Sequence, residues 1–127
     1  MKKLDGIRVL VIEDTPDIRE VFVTLLEAEG AQVVATGSGR EATTLANEHE
    51  FDVVLSDLGL PDVPGDIVIR QIVATSRRRP RIAAVTGYGE PFLTRARQAG
   101  ADIVFTKPVE WTRILDYLSR PDLAASA

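Results

Sequence analysis

Five times along this chain a short, strongly apolar run gives way to a longer stretch of helical periodicity. The runs are "IRVLVI" (Ile7–Ile12), "AQVVAT" (Ala31–Thr36), "FDVVLSD" (Phe51–Asp57), "RIAAVT" (Arg81–Thr86) and "ADIVFT" (Ala101–Thr106). They are rich in β-branched residues and too short for helices. They do not alternate apolar with polar, so each reads as a strand buried on both faces. Strands of that kind belong to a parallel sheet with helices on either side, joined by right-handed crossovers. The expected fold is therefore α/β, doubly wound, from five βα units.

The intervening segments fit that plan. Thr15-Pro16 reads as an N-cap followed by proline at the first helical position. Ile18, Val21, Phe22, Leu25 and Leu26 then fall on one helical face, and Gly30 ends the helix. Ser38 and Glu41 have capping-box spacing, predicting a helix to about His49. Ile67, Val68, Ile72 and Val73 predict a third helix ending near Ser76. A weaker fourth runs from Phe92 to Gln98 and is stopped by Gly100. Trp111, Ile114, Leu115 and Leu118 form the stripe of a fifth. One domain over residues 1–120 accounts for all of this, with residues 121–127 a frayed tail.

Bulk properties narrow the function. With 127 residues, 45% of them hydrophobic and 27% charged, the chain is an ordinary globular mixture. A net charge of −4 does not favour nucleic acid or an anionic membrane. The lack of cysteine excludes disulfides, thiolate metal sites and cysteine catalysis, and is compatible with the cytosol. No apolar run approaches the roughly 20 residues of a membrane span. "SRRRPR" (Ser76–Arg81) reads as a solvated basic turn, and His49 stands alone without a ligand cluster.

In an open parallel sheet, sites form beyond the carboxyl ends of the strands. Here those ends carry Glu13-Asp14, Asp57, Thr86-Gly87 and Thr106-Lys107-Pro108. Three converging carboxylates repel unless a cation sits among them. Hard oxygen donors without His or Cys favour Mg²⁺, with Mn²⁺ the alternative. A carboxylate is also a nucleophile toward phosphorus. Such a transfer needs charge neutralised around the phosphoryl oxygens, and Lys107 and the Thr86 hydroxyl suit that.

Glu13-Asp14, Asp57 with Pro61 and Gly65 behind it, Thr86 and Lys107-Pro108 together resemble a response-regulator receiver domain over Ile7 to Leu118. The resemblance implies a flavodoxin-like sandwich with strand order 2-1-3-4-5. It implies that Asp57 accepts a phosphoryl group from a phosphohistidine of a histidine kinase or histidine phosphotransfer domain. Asp14, Asp57 and the Gly59 backbone carbonyl would hold Mg²⁺, with Glu13 acting through water. Lys107 would pair with Asp57 and then with the phosphoryl group. Thr86 would move toward that group, and Phe105 would swing into the space it leaves. Lys107-Pro108 would be a cis bond. Downstream protein partners would meet the face from Glu90 to Leu118, in the cytoplasm, without nucleic acid or membrane contact. Gly59, Gly87-Tyr88 and the "LDGIRVLVIED" opening resemble receiver modules of hybrid sensor kinases.

Other readings stand beside this one. Phe105 is core by default, Trp111 a core or helix-start anchor, and Tyr88 a half-exposed loop residue. An aspartyl-nucleophile phosphatase of similar topology would carry a second Asp where Gly59 stands. A flavin-binding module would open on a hydroxyl-rich phosphate loop, not on Glu13-Asp14. A docking module without phosphorylation would have no use for the whole constellation.

Overall fold

Five parallel strands pair in the order β2-β1-β3-β4-β5 in a computed structural model that describes residues 2–120. The chain runs β1 (Arg8–Ile12), α1 (Pro16–Ala28), β2 (Gln32–Thr36), α2 (Gly39–Glu48), β3 (Val53–Asp57), α3 (Gly65–Thr75), β4 (Arg81–Thr86), α4 (Phe92–Ala99), β5 (Ile103–Thr106) and α5 (Trp111–Leu118). This is the doubly wound, flavodoxin-like sheet expected. The frayed tail, residues 121–127, lies outside the described residues.

The apolar strands serve two cores. Val9, Val11, Val53, Leu55, Ala83, Val85 and Phe105 pack with Leu26 of α1 and Ile114, Leu115 and Leu118 of α5. The alternate residues Leu10, Ile12, Val54, Ile82 and Ala84 pack with Ala42 of α2, Val68, Ile69 and Ile72 of α3, and Ala96 and Ala99 of α4. Each fully buried Leu or Ile side chain contributes about 1.5–3 kcal/mol. Leu4, which the strand pattern passed over, is completely buried beneath the first core, and its N–H donates to the Glu29 carbonyl at 2.8 Å.

Helix boundaries show where local rules gave way. Gly30 and Gly100 follow α1 and α4 with φ of 96° and 124°, the left-handed geometry glycine adopts freely. Thr15 occupies the N-cap of α1, but its hydroxyl makes no capping bond. At α2 the capping box is half made. Ser38 Oγ accepts from Glu41 N at 3.2 Å, while Ser38 N donates to Thr36 Oγ1 at 3.1 Å instead of to Glu41. The apolar face of α1 is split: Leu26 is buried, whereas Ile18 and Val21 are 40% and 55% exposed. Ile67 of α3 is likewise exposed.

Four of the strands start one or two residues later than the apolar runs suggest, and aspartates account for two of the shifts. The Asp52 carboxylate accepts from Arg8 N at 2.8 Å, and that of Asp102 accepts from Ile82 N at 2.8 Å. Each replaces a ladder carbonyl at the base of the sheet. "SRRRPR" belongs to this base: Arg77, Arg78 and Arg79 are exposed, as a solvated turn requires, but Pro80 and Arg81 are buried. Arg78 pairs with Asp52, and Arg79 pairs with Asp102 at 3.0 Å. Arg81 is only 8% exposed and donates to the carbonyls of Leu118 at 2.9 Å and Arg120 at 3.0 Å, capping the end of α5. Its guanidinium also lies 5.6 Å from the Tyr117 ring centroid.

Candidate functional site

Parallel pairing brings every strand's carboxyl end to one edge, and β1 and β3 are direct neighbours there, with Ile12 opposite Ser56. Glu13-Asp14 leaves β1 where Asp57 ends β3. Oxygens of Glu13, Asp14 and Asp57 all lie within 4.8 Å of one another. On the far side of β3, β4 ends at Thr86, and β5 leads into Lys107. Lys107 Nζ reaches Asp57 Oδ2 at 3.2 Å, across 50 residues of sequence.

Asp57 is held from two sides. Oδ2 faces the ammonium, and Oδ1 accepts from Gly59 N at 3.0 Å. Burial pushes its carboxyl up, but the bonds from Glu13, Gly59 N–H and Lys107 outweigh burial and hold it below the usual carboxylate range. Glu13 goes the other way. It is 2% exposed, and burial, then its hydrogen bond and repulsion with Asp57, push its carboxyl up to about 7. The two carboxyls are thus pushed in opposite directions, as acidic groups in close contact are. The donor set, carboxylates with no soft ligand, fits a hard divalent cation.

Thr86 is fully buried, and its Oγ1 accepts from Tyr88 N at 3.0 Å. The Lys107 N–H donates to the Thr86 carbonyl at 2.7 Å, tying the two strand ends together. Phe105 is already inside, 4% exposed and edge-on to Tyr117 at 6.1 Å. An inward swing of this ring presupposes an outward resting position that the structure does not have. Lys107-Pro108 is cis, as is Glu90-Pro91. Tyr88 is exposed, with its ring 5.1 Å from Phe92, and Trp111 is half-buried with its ring 6.5 Å from Phe22.

Gly59 and Gly65 differ in what they require. A Cβ on Gly59 would meet Asp57 Oδ1 at 3.8 Å and Tyr88 Cε2 at 3.9 Å, ordinary contacts. A Cβ on Gly65 would lie 2.5 Å from Leu58 Cα, so only glycine fits there. Two site residues escaped the sequence reading. Arg19 of α1 donates from Nη1 to the Glu13 carbonyl at 3.0 Å and fixes the acidic turn. Asp62 reaches from the β3–α3 loop to the start of α2. Their partners are too distant in sequence, or too ordinary, to leave a local signal.

This edge has the class of site that a carboxylate phosphoacceptor uses: a nucleophilic carboxylate, an ammonium on one of its oxygens and an acidic pair beside it. The model of the response regulator receiver domain matches residues 9–119, and the chain belongs to that family. It is 33% identical over 110 residues to the polar-differentiation response regulator DivK of Brucella ovis, covering 85% of this chain and 89% of DivK. It is 41% identical over 71 residues to the sensor protein TorS of Escherichia coli, covering 55% of this chain but only 8% of TorS. The receiver domain of sensor histidine kinase PA1611 from Pseudomonas aeruginosa, solved with magnesium in its active-site cleft, superposes with a TM-score of 0.78 at 28% identity. That match covers 90% of this chain and 98% of the other. The relatives thus include both a short response regulator and a segment of a long sensor protein.

Proposed function

We propose that this receiver domain is a phosphorylation switch whose acceptor is Asp57. The donor is a phosphohistidine on a histidine kinase or histidine phosphotransfer domain. The observation that carries this reading is the Asp57 carboxylate clamped between Lys107 Nζ and Gly59 N–H, beside Glu13 and Asp14. A carboxylate oxygen of Asp57 forms a bond to phosphorus as the phosphorus–nitrogen bond to the donor imidazole breaks, and the imidazole leaves and takes up a proton. Lys107 follows the charge from the carboxylate to the phosphoryl oxygens. Mg²⁺, or Mn²⁺ in its place, supplies further positive charge beside those oxygens when bound. Asp14, Asp57 and the Gly59 carbonyl would hold it, with Glu13 through water.

Phosphorylation draws Thr86 Oγ1 from Tyr88 N toward the new phosphoryl oxygens, while Phe105 keeps its inward position. The altered Glu90–Leu118 surface then meets a downstream protein partner, a two-state equilibrium biased by one covalent group. Hydrolysis reverses it: water attacks phosphorus, the bond to Asp57 breaks and the carboxylate returns. The domain is thus a switch that performs its own phosphoryl chemistry, not an enzyme acting on a separate substrate. Exposed Ile18 and Val21, on the α1 face near Asp14, suit docking of the donor protein. The reading places the domain in the cytoplasm, without nucleic acid or membrane contact of its own. Among the described residues no helix is long and apolar enough to cross a membrane.

Incubation with Mg²⁺ and a small acyl-phosphate donor, followed by intact mass, tests the reading. One phosphoryl group should appear on the wild type and none on Asp57→Asn. A wild type that stays unmodified with both the small donor and a competent kinase overturns it.

A further inference from the structure

The loop from Leu58 to Pro64 carries Gly59 and has no regular secondary structure. Its two ends are pinned by Leu58 N–H on the Val85 carbonyl at 3.2 Å and Gly65 N–H on the Leu58 carbonyl at 3.2 Å. Between these pins, Leu60 and Val63 pack against the second core, and one side chain ties the loop to another element by hydrogen bonds. Asp62 Oδ1 accepts from Gly39 N at 2.9 Å, and Oδ2 accepts from Arg40 N at 3.1 Å and from Ser38 Oγ at 2.8 Å. Oδ1 also accepts from Val63 N at 3.0 Å, which fixes the carboxylate against its own loop. The first two donors are free N–H groups at the positive end of α2. Those bonds, from Gly39 and Arg40 and then from Ser38, hold the Asp62 carboxyl well below the usual carboxylate range.

The helix has other ways to satisfy these donors. Both lie in the first turn of α2, where water commonly serves instead. The loop has less to fall back on: without Asp62 the stretch from Leu60 to Pro64 keeps only the apolar packing of Leu60 and Val63 against the second core. We propose that Asp62 is a positioning residue that acts through the loop. By tethering the loop to α2 it holds Gly59 against Asp57, and with it the backbone carbonyl that would serve a cation at this site. The proposal rests on the phosphoacceptor reading for its metal arm only.

Partners that hold metal-site groups in place typically change affinity by about tenfold or more when removed. Asp62→Ala should therefore weaken Mg²⁺ binding, measured by titration calorimetry, by about tenfold. It should lower kcat/KM for acetyl phosphate by a similar factor while Asp57 remains the modified residue. In the metal-free protein, the Gly59 amide resonance should move away from its wild-type position. Asp62→Asn should recover part of each effect. Its amide oxygen still accepts from Gly39 N, and its NH₂ can donate to Ser38 Oγ.

A merely structural cap predicts a different pattern. Then Asp62→Ala lowers Tm and speeds amide exchange at Gly39 and Arg40. At temperatures far below Tm, both its Mg²⁺ affinity and its Gly59 amide match the wild type within about twofold. That result overturns the proposal. Should the wild type itself fail to bind Mg²⁺, the phosphoacceptor reading falls, while the Gly59 amide of the metal-free variants still decides whether the tether exists.

Discussion

The two edges of one sheet carry opposite electrostatic designs. At the base, every acidic group that meets a strand end is answered. Asp52 takes Arg8 N–H and Arg78, Asp102 takes Ile82 N–H and Arg79, and Arg81 closes the carbonyl end of α5. At the top, Glu13, Asp14 and Asp57 crowd within 4.8 Å with Lys107 bonded to Asp57 alone, and burial and its neighbour push Glu13 up to about 7. Charge at the base is compensated within the chain and serves stability. Charge at the top exceeds what the chain supplies, so the site has a standing demand for a cation. The same lattice of parallel strands builds both, which explains how the fold keeps a mutually repelling acidic edge while its other edge stays secure.

Substitutions at the two edges should separate chemistry from stability. The largest effect belongs to Asp57→Asn, which removes the nucleophile: phosphoryl incorporation from an acyl-phosphate donor, read by intact mass, should vanish while the circular dichroism spectrum is retained. Lys107→Met comes next. It leaves Asp57 in place but removes the ammonium from Oδ2, and the rate of incorporation should fall by about 100-fold. Arg81→Met acts at the base and should do the reverse. With the α5 carbonyls unanswered it should cost about 2–3 kcal/mol in urea unfolding and leave the phosphorylation rate of the folded fraction unchanged.

The fourth expectation concerns pH. Folded Glu13 titrates at about 7 instead of its ordinary 4.5, so between those values the folded chain holds more protons than the unfolded one. The stability contributed by the protonated Glu13 is complete below about 4.5 and is lost as pH rises through about 7, so metal-free Tm should fall across that window. A cation must displace that proton. Mg²⁺ affinity should therefore climb by up to about tenfold per pH unit below 7 and flatten above it. Titration calorimetry in two buffers of different ionisation enthalpy reads the proton release directly. The smallest effect is Arg78→Ala. It breaks an exposed pair at the base, and its cost in urea unfolding should stay within about 0.2–1 kcal/mol.

The two edges also differ in how far the sequence disclosed them. The top was legible because its residues close the strands they serve. Asp57, Thr86 and Lys107 follow apolar runs directly, so topology alone brings them together. The base was not. Asp52 with Arg78, Asp102 with Arg79, and Arg81 with the end of α5 are pairs separated by more than 20 residues, and "SRRRPR" looks locally like any solvated turn. Asp62 escaped for the same reason, since an aspartate between prolines reads as turn chemistry until α2 is placed beside it. Periodicity found the apolar face of α1 but not its width: Ile18 and Val21 keep the helical spacing yet face outward. Glycine's steric need at the β3–α3 loop was also invisible in the sequence, where Gly59 and Gly65 look alike. The neighbours of Gly59 would admit a Cβ, and glycine is sterically demanded at Gly65 instead.

The central claim is that Asp57, the carboxylate paired with Lys107 at the top edge, is a phosphoryl acceptor. Borohydride reduction of the acyl-phosphate-treated protein, which converts an aspartyl phosphate to homoserine, followed by peptide mapping, tests it most directly. The account predicts homoserine at position 57 in the wild type, dependent on added Mg²⁺. Modification confined to position 14, or no modification under conditions that label another receiver domain, would contradict it.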